Sequence, residues 1–140
     1  MAYKKTNVQS AITLHNEPHK GDRMSKHTER SLKYMRSLGY TCDMVERFIA
    51  FPKPHGHRVD FLNIIDFIGI DEFVTVGVQS CGSSFSAHKQ KLYEHPNSNL
   101  WLANASRQLW LIGWSKRKIK RGGVAYKYMP RIEIIQPGDL

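Results

Sequence analysis

The sequence predicts one mixed α/β domain over residues 25–140, preceded by a polar, basic arm over 1–24 that is expected to be flexible. Three observations carry the prediction. Leu32, Met35 and Leu38 recur at helical spacing and stop at Gly39. Residues 40–81 are rich in branched and aromatic side chains broken by turn signals. Two apolar strands flank Arg121-Gly122-Gly123, a strong hairpin signal.

Taken in order, Ser25 supplies a cap for the first helix, because its hydroxyl can accept an orphan N–H of the first turn. "YTCDMVERFIAF" (40–51) reads as a strand, and "PKPHGH" (52–57) as a loop, since two prolines and a glycine cannot propagate a ladder. Residues 59–70 and 73–81 read as two strands around a tight "IDEF" turn. "SSFSAHKQKLYEH" (83–95) is helical, with Phe85, His88 and Leu92 on one face, and "NSNLWLANAS" (97–106) is a short helix or turn. The closing hairpin joins "QLWLIGWSKRKIK" to "VAYKYMPRIEII". Trp101, Trp110 and Trp114 are expected in the core or a dimer contact, with Trp101, Leu102 and the last strand as candidate interface.

The charge balance narrows the partners. With 21 Lys+Arg against 12 Asp+Glu the chain carries +9 at pH 7, which attracts polyanions. Nucleic acid is favoured over a membrane surface, because the cations do not decorate an amphipathic helix. No apolar run approaches the ~20 residues that span a bilayer. Cys42 and Cys81 form no C-x-x-C pair, so a reducing, cytoplasmic setting is expected. The seven histidines show no zinc-binding spacing, although His55 or His57 can approach a phosphate. No glycine-rich nucleotide loop or Gly-x-Ser-x-Gly elbow occurs, so no nucleotide cofactor is expected.

The acids inside "HRVDFLNIIDFIGIDEFVTVGVQSC" (57–81) are the principal anomaly. Asp66 lies among Ile64, Ile65, Phe67 and Ile68, where burial raises its pKa unless a cation compensates. Pairing Ile70 with Phe73 sets Asp66 opposite Gly77, with Gln79 as its diagonal neighbour on the same face. A carboxylate, an amide oxygen and a backbone carbonyl make a plausible magnesium shell. Asp60 is six residues earlier, roughly 20 Å away along one extended strand. It joins Asp66 only if the chain bends; otherwise it marks a strand entrance, paired with Arg58.

On these residues the chain resembles the PD-(D/E)-x-K nuclease superfamily, and within it the small Holliday-junction resolvases of archaeal and phage type. The likeness spans most of residues 25–135: Glu29 in "KHTERSLKYMRSLGY", Asp66 on the second strand, "VGVQSCGSS" at the end of the third, then a helix near Phe85 and a Trp-rich strand. It implies a restriction-endonuclease-like mixed sheet with an α-β-β-β-α-β core, flanking helices and a basic C-terminal hairpin. It also implies a Mg2+ site, with Mn2+ substituting, held by Asp66, Gln79, the Ser80 carbonyl and Asp60. Glu29 either helps to hold that metal or is an exposed acid beside Arg36 or Lys33. Two positions depart from the pattern: Gln79 replaces a glutamate and Cys81 replaces the lysine. Some members carry the lysine on the following helix, where Lys89 is the first candidate and Lys91 the second.

"SKRKIKRGG" (115–123) adds a cationic tip, with Lys116, Lys118 and Lys120 alternating against Arg117 and Arg121. Such a ribbon suits phosphate contacts, and Tyr126 and Tyr128 suit stacking or sugar contacts. The implied function is cleavage of branched or duplex DNA, resolving four-way junctions as a homodimer. The alternative is a decayed nuclease fold that binds nucleic acid without cutting it.

Overall fold

Helix α1 (Lys26–Ser37) opens the described chain, and its ends follow from its sequence. The Ser25 hydroxyl accepts the Thr28 N–H at 3.1 Å, and Gly39 takes the left-handed conformation (φ +97°) that ends the helix at little cost. This computed structural model describes residues 24–139. The expected arm therefore lies, apart from Met24, outside the described residues.

The chain divides into two compact units. One contains Phe48–Arg58; the other comprises Met24–Arg47 and the chain from Val59 onward. The expected 40–51 strand is two strands, β1 (Thr41–Met44) and β2 (Arg47–Ile49), which belong to different sheets. Among the described residues strand β2 pairs only with β3 (His57–Val59), and His57 Nδ1 lies 2.6 Å from the Phe51 carbonyl oxygen. Arg58 is a half-buried residue of β3.

The larger sheet combines β1 with β4 (Phe67–Ile70), β5 (Thr75–Cys81), β6 (Arg107–Lys118) and β7 (Tyr126–Ile135), in the order β1-β4-β5-β6-β7. Only β5 and β6 run parallel, joined through α2 (Phe85–Glu94) and α3 (Pro96–Leu102). The described residues are thus mixed α/β, with a five-stranded and a two-stranded sheet and three α-helices. Among the described residues no helix is long and apolar enough to cross a membrane.

Alternation along the strands divides the core between the two sheet faces. Leu32 and Met35 of α1 cover Phe67, Val76, Val78, Trp110, Ile112 and Trp114. Phe85 and Leu92 of α2 cover Cys81, Leu109 and Leu111 on the other face, with Trp101 and Leu102 of α3. Gly113 is required there, because a Cβ would collide with the Phe85 ring. Trp101 and Leu102 are 8% and 7% exposed, so they belong to this core and offer no surface to a second copy.

Two departures from the sequence reading shape the site. Residues 59–70 are not one strand: Leu62 and Asn63 both adopt positive φ, and Phe61 and Ile65 bridge across the resulting turn. The β4–β5 connection is also longer than the expected turn. The Asp71 carboxylate accepts the Phe73 and Val74 N–H groups, each at 2.8 Å, and Ile70 faces Thr75 instead of Phe73. A shift of two residues preserves side-chain parity, so Asp66 and Gln79 still share a face.

Candidate active site

Asp66 sits where the bent segment enters β4, and its backbone organises its neighbours. Its N–H donates to the Val78 carbonyl at 2.8 Å, continuing the ladder. Its carbonyl accepts both the Val45 and Glu46 N–H groups at 3.1 Å, which fixes Glu46 beside it. The Leu62–Asn63 turn, whose Leu62 carbonyl is held by the Asn97 side chain at 2.8 Å, folds Asp60 back to the same place. Carboxylate oxygens of Glu46, Asp60 and Asp66 consequently lie within 4.8 Å of one another.

Asp66 is 5% exposed. One carboxylate oxygen accepts the Ser80 N–H at 2.8 Å, and the other accepts Gln79 Nε2 at 3.1 Å. The same Nε2 donates to Asp60 at 3.2 Å, while Gln79 Oε1 accepts Lys91 Nζ at 3.4 Å. Lys91 Nζ also lies 3.5 Å from Asp60. The carboxamide nitrogen therefore bridges the two carboxyl groups, and its oxygen faces a cation.

That bonding does not offset the environment of Asp66. Desolvation first, then the negative charge and hydrogen bond of Asp60, push its carboxyl up to about 8; the Ser80 N–H opposes the shift and Glu46 adds to it. Burial and the nearby Asp66 push the Cys81 thiol up to about 11, so it stays neutral at physiological pH. Cys81 is a core residue packed against Phe85, where a lysine would have no solvated exit.

The sequence-selected residues separate accordingly. Asp66, Gln79, Ser80 and Asp60 come together, Asp60 because the chain bends. Lys89 does not: it pairs with Glu133 of β7 at 3.1 Å, and Lys91 occupies the place expected of it. Glu29 is exposed, pairs with Lys26 at 3.3 Å and lies outside the acidic cluster. Ser80 supplies its N–H to Asp66, while its hydroxyl donates to Ser31 at 2.7 Å. Glu46 was missed. Its only sequence signal is an acid in an otherwise strand-like run, just where that run breaks.

At the hairpin, Lys116 and Lys118 lie on β6 opposite Tyr128 and Tyr126, whereas Lys120 and Arg121 belong to the turn; Arg117 faces Lys127. All five cations are exposed.

No protein-family model, curated protein or solved structure matches the chain.

Proposed function

We propose that this protein is a Mg2+-dependent endonuclease of restriction-endonuclease-like fold that hydrolyses phosphodiester bonds in branched DNA, four-way junctions foremost. The observation that carries the reading is the convergence of Glu46, Asp60 and Asp66 with Gln79 and Lys91 at one end of β5. The succession of helix, strands, helix and strand in the larger unit is compatible with it. So is the net charge of +9.

The donor set fits the ion. Magnesium takes hard oxygen ligands and is commonly held by one or two carboxylates, with water and substrate phosphate completing its shell; Mn2+ accepts the same donors. When bound, such a cation polarises the phosphoryl oxygen and lowers the pKa of water. The chain's own groups do the rest. Ser80 N–H orients one Asp66 oxygen, Gln79 bridges Asp66 and Asp60, and Lys91 supplies a fixed positive charge for the charge developing on the phosphate. A junction requires two symmetric cuts, so the active form is read as a twofold homodimer in the cytoplasm.

The test incubates the protein with four-way junction, linear duplex and single-stranded DNA, in magnesium or in chelator. Paired symmetric nicks that need metal and disappear in Asp66→Asn are expected. The buried Cys81 in place of the motif lysine favours a second reading, in which the protein binds DNA without cutting it. Salt-sensitive binding with intact DNA in both buffers would select that reading instead.

A further inference from the structure

The candidate site and the basic surface beside α1 lie on opposite faces of the sheet. Gln79 and Cys81 point toward α2, where Lys91 and Phe85 meet them. Ser80 points the other way, toward Ser31 of α1. On β6, Trp110, Ile112 and Trp114 lie beneath α1, so alternation carries Lys116 and Lys118 onto the α1 face and Arg117 onto the site face.

The α1 face carries a continuous cationic and aromatic path. Lys116 Nζ lies 4.9 Å from the Tyr126 ring centroid, and the Arg30 guanidinium lies 3.5 Å over Tyr128. Beside them a hollow of about 370 Å³ is lined by Arg30, Lys33, Tyr34, Trp114 and Tyr128. It shares Arg30 and Lys33 with a second hollow of about 400 Å³, where Lys26, Arg30, Lys33 and Arg36 face one carboxylate, Glu29. Four cations against one acid leave an excess of three positive charges.

We propose that this α1 face binds a second segment of nucleic acid, so that one protomer holds two arms of a branched substrate, one on each side of its β6–β7 ribbon. The inference rests on the nucleic-acid reading above. Interleaving of cations with tyrosine rings favours a phosphate backbone with sugars or bases at hand over an acidic protein, which would have no use for stacking surfaces. A linear duplex reaching the site fills only one face. A branch fills both, which makes the second groove a device for structure selectivity.

The test measures binding in chelator, where cleavage plays no part. The variant Lys26→Gln/Lys33→Gln neutralises two exposed cations two helical turns apart on the α1 face, neither belonging to the hairpin tip. Its affinity for a four-way junction should fall about tenfold, and the salt dependence should flatten by about two phosphate contacts, with linear duplex affinity unchanged. The control, Arg117→Gln/Lys127→Gln on the site face, should weaken both substrates. The inference is overturned if Lys26→Gln/Lys33→Gln weakens duplex and junction equally, or changes neither. Wild-type protein that binds no DNA sinks the parent reading as well, whereas binding without nicking in magnesium leaves this inference standing.

Discussion

The acid cluster and the hairpin tip place charge in opposite ways. At the tip, Lys116, Arg117, Lys118, Lys120 and Arg121 are all solvated, and water screens their mutual repulsion. At the cluster, Asp66 is buried beside Asp60 and Glu46, and Lys91 is the cation placed against Asp60. Charges of the first kind cost folding little and are free to act on a distant polyanion. Those of the second kind oppose folding until something neutralises them, a pattern found where side chains are held for chemistry.

The largest expected effect separates function from stability at Asp66. Asp66→Asn should lower metal-dependent cleavage by at least about 10²-fold, as loss of a principal electrostatic group does. The same change should stabilise the metal-free protein at pH 8 by about 1–3 kcal/mol, because it removes a buried charge that repels its neighbours. Parallel loss of activity and stability would erase the contrast between the two regions.

Next comes the lysine. Lys91→Met should cost cleavage about 10²-fold, and Lys89→Met should leave it nearly unchanged. Lys89 spends its charge on Glu133, a partly exposed pair contributing no more than about 1 kcal/mol. Single-turnover rates on a nicked-junction reporter distinguish the two; equal losses would put Lys89 back in the chemistry.

A pH series sharpens the comparison further. The Asp66 carboxyl is raised in the folded state, so its stabilising form is the protonated one. That contribution is complete below the ordinary carboxylate value near 3.8 and is lost as pH climbs toward about 8. Urea titrations of metal-free protein should therefore show stability declining over this range, by a few kcal/mol at most. Millimolar Mg2+ should raise Tm more at pH 8 than at pH 6. A flat metal-free profile would mean that Asp66 is already compensated.

The smallest effect belongs to the tip. Lys118→Ala or Arg121→Ala should alter stability by less than about 0.5 kcal/mol in thermal melts. A larger loss would show the cations engaged in folding after all.

Local chemistry was readable from the sequence and long-range placement was not. Ser25, Gly39 and the Arg121-Gly122-Gly123 turn act on their own neighbours, and the elements that they bound lie where the pattern puts them. The Leu62–Asn63 turn was hidden because two left-handed residues inside an apolar run look like strand to any period-two test. Asp71 did carry a signal for its longer loop, since aspartate commonly bonds the backbone two residues on. Choosing between Lys89 and Lys91 required the packing of α2 against the sheet. Both lysines flank the buried stripe of Phe85 and Leu92, and only tertiary packing decides which flank meets Gln79.

Ser31 has no charge, yet its side-chain oxygen accepts from both the Ser80 hydroxyl at 2.7 Å and the Trp114 indole N–H at 2.9 Å. It therefore rivets three elements together through one atom. Any tilt of the helix under a load on its outer side would tug the very peptide whose N–H steadies Asp66, giving the far side of the layer a mechanical line to the acids.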